Sequence, residues 1–247
     1  MRSPGVRPEP AKADPTRFEM GSWDIPATSR SSGTSMIAVA LRHEEADLMI
    51  DPLESRGLEV VAIDAPCWAL HRSCRKLFSG EGAVAILDLG WSAASLHIAD
   101  RQTILYQRTL WDAGVQALHK AIVRQHGLDE SAAELMMRSE PSSEPEASAK
   151  LPSLIHPYAR LLCDDLRTSL AFARQRFPGN WANQLLLCGG GASLAGLAGF
   201  LAERLGFTVS IANATHLLES DKRDIASSDL PLLTSAVGLA LYGQEEA

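Results

Sequence analysis

Residues 83–96, AVAILDLGWSAASL, constrain this chain more than any other stretch. Residues 84–87 are an apolar run of the length of one buried strand. The run ends in Asp88-Leu89-Gly90, then Ser92 and Ser95, and no helical period follows. Residues 95–99 (SLHIA) carry the pattern back, Asp100-Arg101-Gln102 turns it, and residues 103–110 (TILYQRTL) return. This predicts a three-strand meander whose first corner carries a carboxylate, a glycine and two hydroxyls. Such a corner can bring backbone N–H groups onto a phosphate, because glycine removes the steric bar to close approach. Asp88 could hold a hydrated Mg²⁺ beside it. An ordinary hairpin with a polar tip uses the same residues, and these residues alone leave both open.

Around the meander the chain reads as follows. Residues 1–17 are rich in Pro and charge with little apolar content, and are expected to be a disordered tail. Residues 18–26 suggest an edge strand, residues 28–35 a loop tip, and residues 35–41 (SMIAVAL) a strand. Residues 42–55 carry a 3.6-residue apolar period with Pro52 weakening the last turn. Gly57 stops this helix and residues 58–63 (LEVVAI) read as a second strand, so the order predicts a βαβ unit with a right-handed crossover. A helix over residues 66–78 places Cys67, Leu70, Cys74 and Phe78 on one face as core filler.

Beyond the meander, a helix is expected between an Asp112 cap and Gly127. A short one begins near Asp129, with Ser131 and Glu134 at capping-box spacing. Residues 139–152 (SEPSSEPEASAKLP) read as a mobile polar loop. Residues 153–177 hold the longest helical pattern, with Asp164, Asp165 and Arg167 in its middle. Residues 184–188 (QLLLC) form a buried strand that runs into Gly189-Gly190-Gly191, with a helix expected over residues 193–205. Three glycines let a backbone lie flat against a planar or phosphorylated ligand, and a helix N-terminus would add partial positive charge. A tight strand–helix turn needs glycines too. Residues 208–211 make a final strand, and Asp229 caps a last helix with Pro231 in its first turn.

A net charge of −7 with no basic cluster argues against nucleic acid as the main partner. The four cysteines form no C-x-x-C pair and are expected as free thiols in a reducing compartment. No apolar run approaches the length of a membrane span, and the first residues do not form a signal peptide.

The order of these elements is more specific than any one motif. A buried strand ending in D-x-G, a meander, a long helix with mid-face carboxylate and Arg, then strand-GGG-helix resembles the actin-like ATPase superfamily. Within it, residues 57–70 (GLEVVAIDAPCWAL), 85–98 (AILDLGWSAASLHI), 127–137 (GLDESAAELMM), 164–172 (DDLRTSLAF) and 185–206 (LLLCGGGASLAGLAGFLAERLG) are similar to the PilM family of type IV pilus assembly proteins, relatives of the cell-division protein FtsA. The resemblance spans residues 18–242. It implies an α/β fold of actin-like (ribonuclease H-like) mixed sheets with flanking helices. It also implies a small partner-docking subdomain over residues 18–80 and an actin-like second half over residues 81–247.

By the same resemblance, Asp88, Gly90 and Ser92 stand at the second phosphate loop, with Asp88 meeting Mg²⁺ through water. Gly189, Gly190 and Gly191 stand at the adenosine loop, and Asp165 and Arg167 face ribose and adenine. The cofactors implied are ATP and Mg²⁺. The first phosphate hairpin of the superfamily, D-x-G-x-x-[ST], is not found in residues 1–80, where Asp14, Asp24, Asp51 and Asp64 are each followed by something else. The fold is therefore expected to be N-terminally incomplete, with one jaw of the phosphate clamp. The expected function is a cytoplasmic scaffold of type IV pilus or related secretion assembly. It would bind a peptide of a PilN-like inner-membrane partner, and ATP weakly or not at all. The alternative is an ATP-binding enzyme of the same superfamily, an ATPase or kinase.

Overall fold

The computed structural model describes residues 15–26, 35–127, 129–138, 145–213 and 229–244. Residues 1–14 of the tail expected over residues 1–17, residues 28–34 of the loop tip expected over residues 28–35, and residues 139–144 of the 139–152 segment lie outside these residues, while Pro15–Arg17 form a single helical turn. The chain divides into two compact units, which meet in sequence at Ala65 and Pro66.

The first unit is a hairpin and a helix. β1 (Phe18–Ile25) and β2 (Ser35–Arg42) pair antiparallel over eight residues, from Phe18 opposite Arg42 to Ile25 opposite Ser35. Strict alternation of half-buried and exposed residues in β2 matches a sheet with one covered face. α1 (His43–Glu54) follows at once, and Gly57 closes its end in a left-handed conformation that side chains rarely adopt. The expected βαβ crossover does not form. Residues 58–63 have the composition of a strand but belong to no described ladder, and the partner of β2 is its hairpin neighbour β1.

The second unit carries the core. Its sheet runs in the order β5-β4-β3-β6-β7, with β3 (Ala83–Leu89), β4 (Ala94–Ala99), β5 (Ile104–Leu110), β6 (Trp181–Cys188) and β7 (Thr208–Ile211). β3, β4 and β5 form the expected antiparallel meander. β6 and β7 add in parallel, so Asp88 and Cys188 stand level at neighbouring strand ends. Six of the seven β3 residues are buried, as a central strand covered on both faces requires.

α2 (Pro66–Cys74) packs across α7 (Thr234–Ala240). Arg72 Nε donates to the Gly238 carbonyl (2.9 Å) and Ser73 Oγ to the Thr234 carbonyl (2.6 Å). A Cβ on Gly238 would collide with the Ala69 carbonyl, so glycine sets the closeness of this crossing. This packing places α2 in the second unit, and the first unit ends at Ala65 rather than at residue 80. Cys67, Leu70, Cys74 and Phe78 are buried as the helical spacing indicates, and all four cysteines are buried and unbridged.

α5 (Pro145–Arg176) lies along the sheet, with Tyr106 against Phe172 and Arg108 donating to Ser169 Oγ (2.8 Å). It starts eight residues earlier than its apolar period. Residues 145–152 are helical rather than loop, because Pro145 fits a first helical turn and the Glu and Ala after it favour helix. α3 (Val115–His126) ends at Gly127 as expected. Asp112, however, sits in the single turn before it, and the residue at the α3 cap is Gly114. α4 (Glu130–Arg138) is capped by Asp129, whose Oδ1 accepts from the Ala132 amide (2.7 Å), in place of the Ser131–Glu134 box.

Candidate functional site

The carboxyl ends of β3 and β6 open onto a cavity of about 390 Å³ within the second unit. Ligands of open α/β sheets gather at such strand ends. Five of the residues singled out in the sequence line it: Asp88, Gly90, Gly189, Gly190 and Gly191. The other three do not. Ser92 is on the hairpin tip beyond the lining. Arg167 turns away, its guanidinium donating to the Arg204 carbonyl at 2.6 Å, with Asp164 3.6 Å from it. Asp165 is likewise absent from the lining. Arg167 is thus engaged with α6 (Leu197–Leu205) rather than with this cavity.

The triple glycine is shaped by the chain itself. Gly189 has φ +76°, and a Cβ there would meet Asp88 Oδ1 and the Leu89 carbonyl. A Cβ on Gly191 would enter the Leu89 and Val115 side chains. Leu232 covers Gly190, its Cδ2 3.0 Å from where a Cβ would stand. The loop does not feed directly into a helix. Gly190–Ser193 form one tight turn, Gly196 takes a left-handed conformation, and α6 starts only at Leu197. The partial positive charge of that helix N-terminus is therefore not delivered at the glycines. Asp229 likewise precedes a single turn, Leu230–Leu233, before α7 begins.

Several backbone donors around the cavity are taken. The Gly189 amide donates to the Pro231 carbonyl (3.0 Å), the Ala192 amide to Gly189 (3.1 Å) and the Leu194 amide to Gly191 (3.2 Å). At the hairpin the Gly90 amide donates to the Ala93 carbonyl (3.1 Å). The first amides of α3, those of Val115 and Gln116, donate to the Gly90 and Trp91 carbonyls (3.0 and 2.9 Å). Helix N-terminal amides are the usual anion donors of a phosphate loop. Here the hairpin tip caps them with its own carbonyls.

The side chains of the lining are acidic and apolar. Asp88, Glu134 and Asp229 supply carboxylates. Trp91, Val115, Met137, Leu194 and Leu232 supply apolar surface, Ser193 and Ser235 add hydroxyls, and no Lys, Arg or His is among the described lining residues. Burial pushes the Asp88 carboxyl above the ordinary carboxylate range, and both Cys74 and Cys188 feel its charge. Trp91 is half-exposed and stacks at a tilt on His119, ring centroids 5.2 Å apart.

A triphosphate in the described lining would meet carboxylates and no side-chain cation. A carboxylate about 4 Å from a phosphate costs roughly 4 kcal/mol at an effective dielectric near 20. A hydrogen bond to a charged group returns about 1.5–3 kcal/mol, and the Gly90, Val115, Gly189 and Leu194 amides are already occupied. One Mg²⁺ held through Asp88 would offset one such term.

Sequence reasoning missed Glu134, Met137, Ser193, Leu194, Asp229, Leu232 and Ser235. The first two reach the cavity from α4, more than 40 residues from Asp88 in sequence, and no local pattern marks them.

A family model described as type IV pilus assembly protein PilM matches residues 24–244. Among solved structures, the chain is similar to one in a PilM-PilN type IV pilus biogenesis complex. Identity is 25%, the TM-score is 0.76, and the match covers 95% of this chain and 69% of that one. Two further likenesses show the fold. Ethanolamine utilization protein EutJ from Carboxydothermus hydrogenoformans matches at 16% identity and TM-score 0.57, covering 82% of this chain and 62% of its own. MreB5 of Spiroplasma citri bound to ADP matches at 14% and 0.52, covering 83% and 66%. The five-stranded mixed sheet and its flanking helices are thus actin-like, and the chain belongs to the type IV pilus assembly protein PilM family.

Proposed function

We propose that this chain is an actin-like scaffold of type IV pilus assembly. It holds a PilN-type inner-membrane partner through a short cytoplasmic peptide, and its cavity does not run on nucleotide. Membership of the family, and likeness to a PilM chain solved with PilN, support the first half. The observation that carries the second half is the described lining, which holds three carboxylates and no Lys, Arg or His, and in which the Gly90, Val115, Gly189 and Leu194 amides donate to the chain's own carbonyls. Phosphoryl transfer depends on positioned donors and positive charge around the transferred group, and the described lining supplies no side-chain cation.

In this reading the protein works on the cytoplasmic side of the inner membrane, held there by its partner. None of the described helices is long and apolar enough to cross a bilayer. The first unit is the partner-docking part.

Thermal unfolding with millimolar Mg-ATP tests the nucleotide half. A ligand that binds the native state at a hundred times its Kd adds about 2.7 kcal/mol, which is several degrees for a chain of this size. The expected shift is below about 1 °C on the same scale. A rise of several degrees would instead establish an ATP-binding member of the superfamily. Asp88→Ala is expected to leave pull-down of the partner peptide intact.

A further inference from the structure

We draw no further inference here: the strongest candidate, the set of carboxylates Asp88, Glu134 and Asp229 around the cavity at the carboxyl ends of β3 and β6, belongs to the site already described, and nothing in the structure shows what they hold.

Discussion

The two units use segments of similar apolar composition in opposite ways. In the second, β3 puts Val84, Ala85, Ile86 and Leu87 at the centre of a five-stranded sheet, and every one of them is buried. In the first, residues 58–63 are as apolar, yet Val61 is 84% exposed and the segment has no ladder. Strand propensity is much the same in both. What differs is whether a neighbouring strand and a covering helix exist to use it. A β-prone segment with no described neighbour stays exposed, whereas the same composition inside a sheet is structure.

This contrast is sharpened first by core truncation. Leu87→Ala should cost about 2–5 kcal/mol in urea unfolding, because the site is fully enclosed. Val61→Ala should stay within about 0.5 kcal/mol, as an exposed change touching nothing. Equal losses at the two positions would break the comparison.

Acid comes next. His97 on β4 is buried and neither ring nitrogen has a hydrogen-bond partner among the described residues. Burial pulls its pKa down from 6.5 to about 4, so the folded state holds it neutral while the unfolded chain takes up a proton. Stability is therefore complete above pH 6.5 and lost as pH falls from 6.5 toward 4, by about 3 kcal/mol in all. His97→Leu should remove that part of the acid sensitivity and leave stability at pH 7 no lower, since it replaces an unpaired polar ring in a dry site. An unchanged pH profile in the variant would contradict this.

The smallest effect belongs to the cavity wall. Gly191→Ala should cost about 1–3 kcal/mol by forcing Leu89 and Val115 apart. A neutral outcome would show that the loop yields more easily than its packing indicates.

Much of the second unit was legible in the sequence. The meander could be read because its apolar runs are short and its turn residues are explicit. The five cavity residues could be read because glycine and aspartate at strand ends are local signals. The segment 58–63 was misread as a ladder strand, since composition reports a preference and not the presence of a neighbour. The wall residues Glu134 and Leu232 could not be seen, since they reach the cavity only through the packing of α4 and of the turn before α7. Arg167 carries the right residue type at the right helical position, yet the Arg204 carbonyl takes its guanidinium, a contact 37 residues away that no spacing encodes.

The central claim is that partner holding in the first unit is independent of nucleotide at the second. Calorimetry with a PilN-type cytoplasmic peptide, with and without millimolar Mg-ATP, tests this most directly. The account predicts a Kd that agrees within about twofold in the two conditions, a coupling free energy below roughly 0.5 kcal/mol. A change of tenfold or more would mean that nucleotide binds and biases the docking surface, and would contradict it.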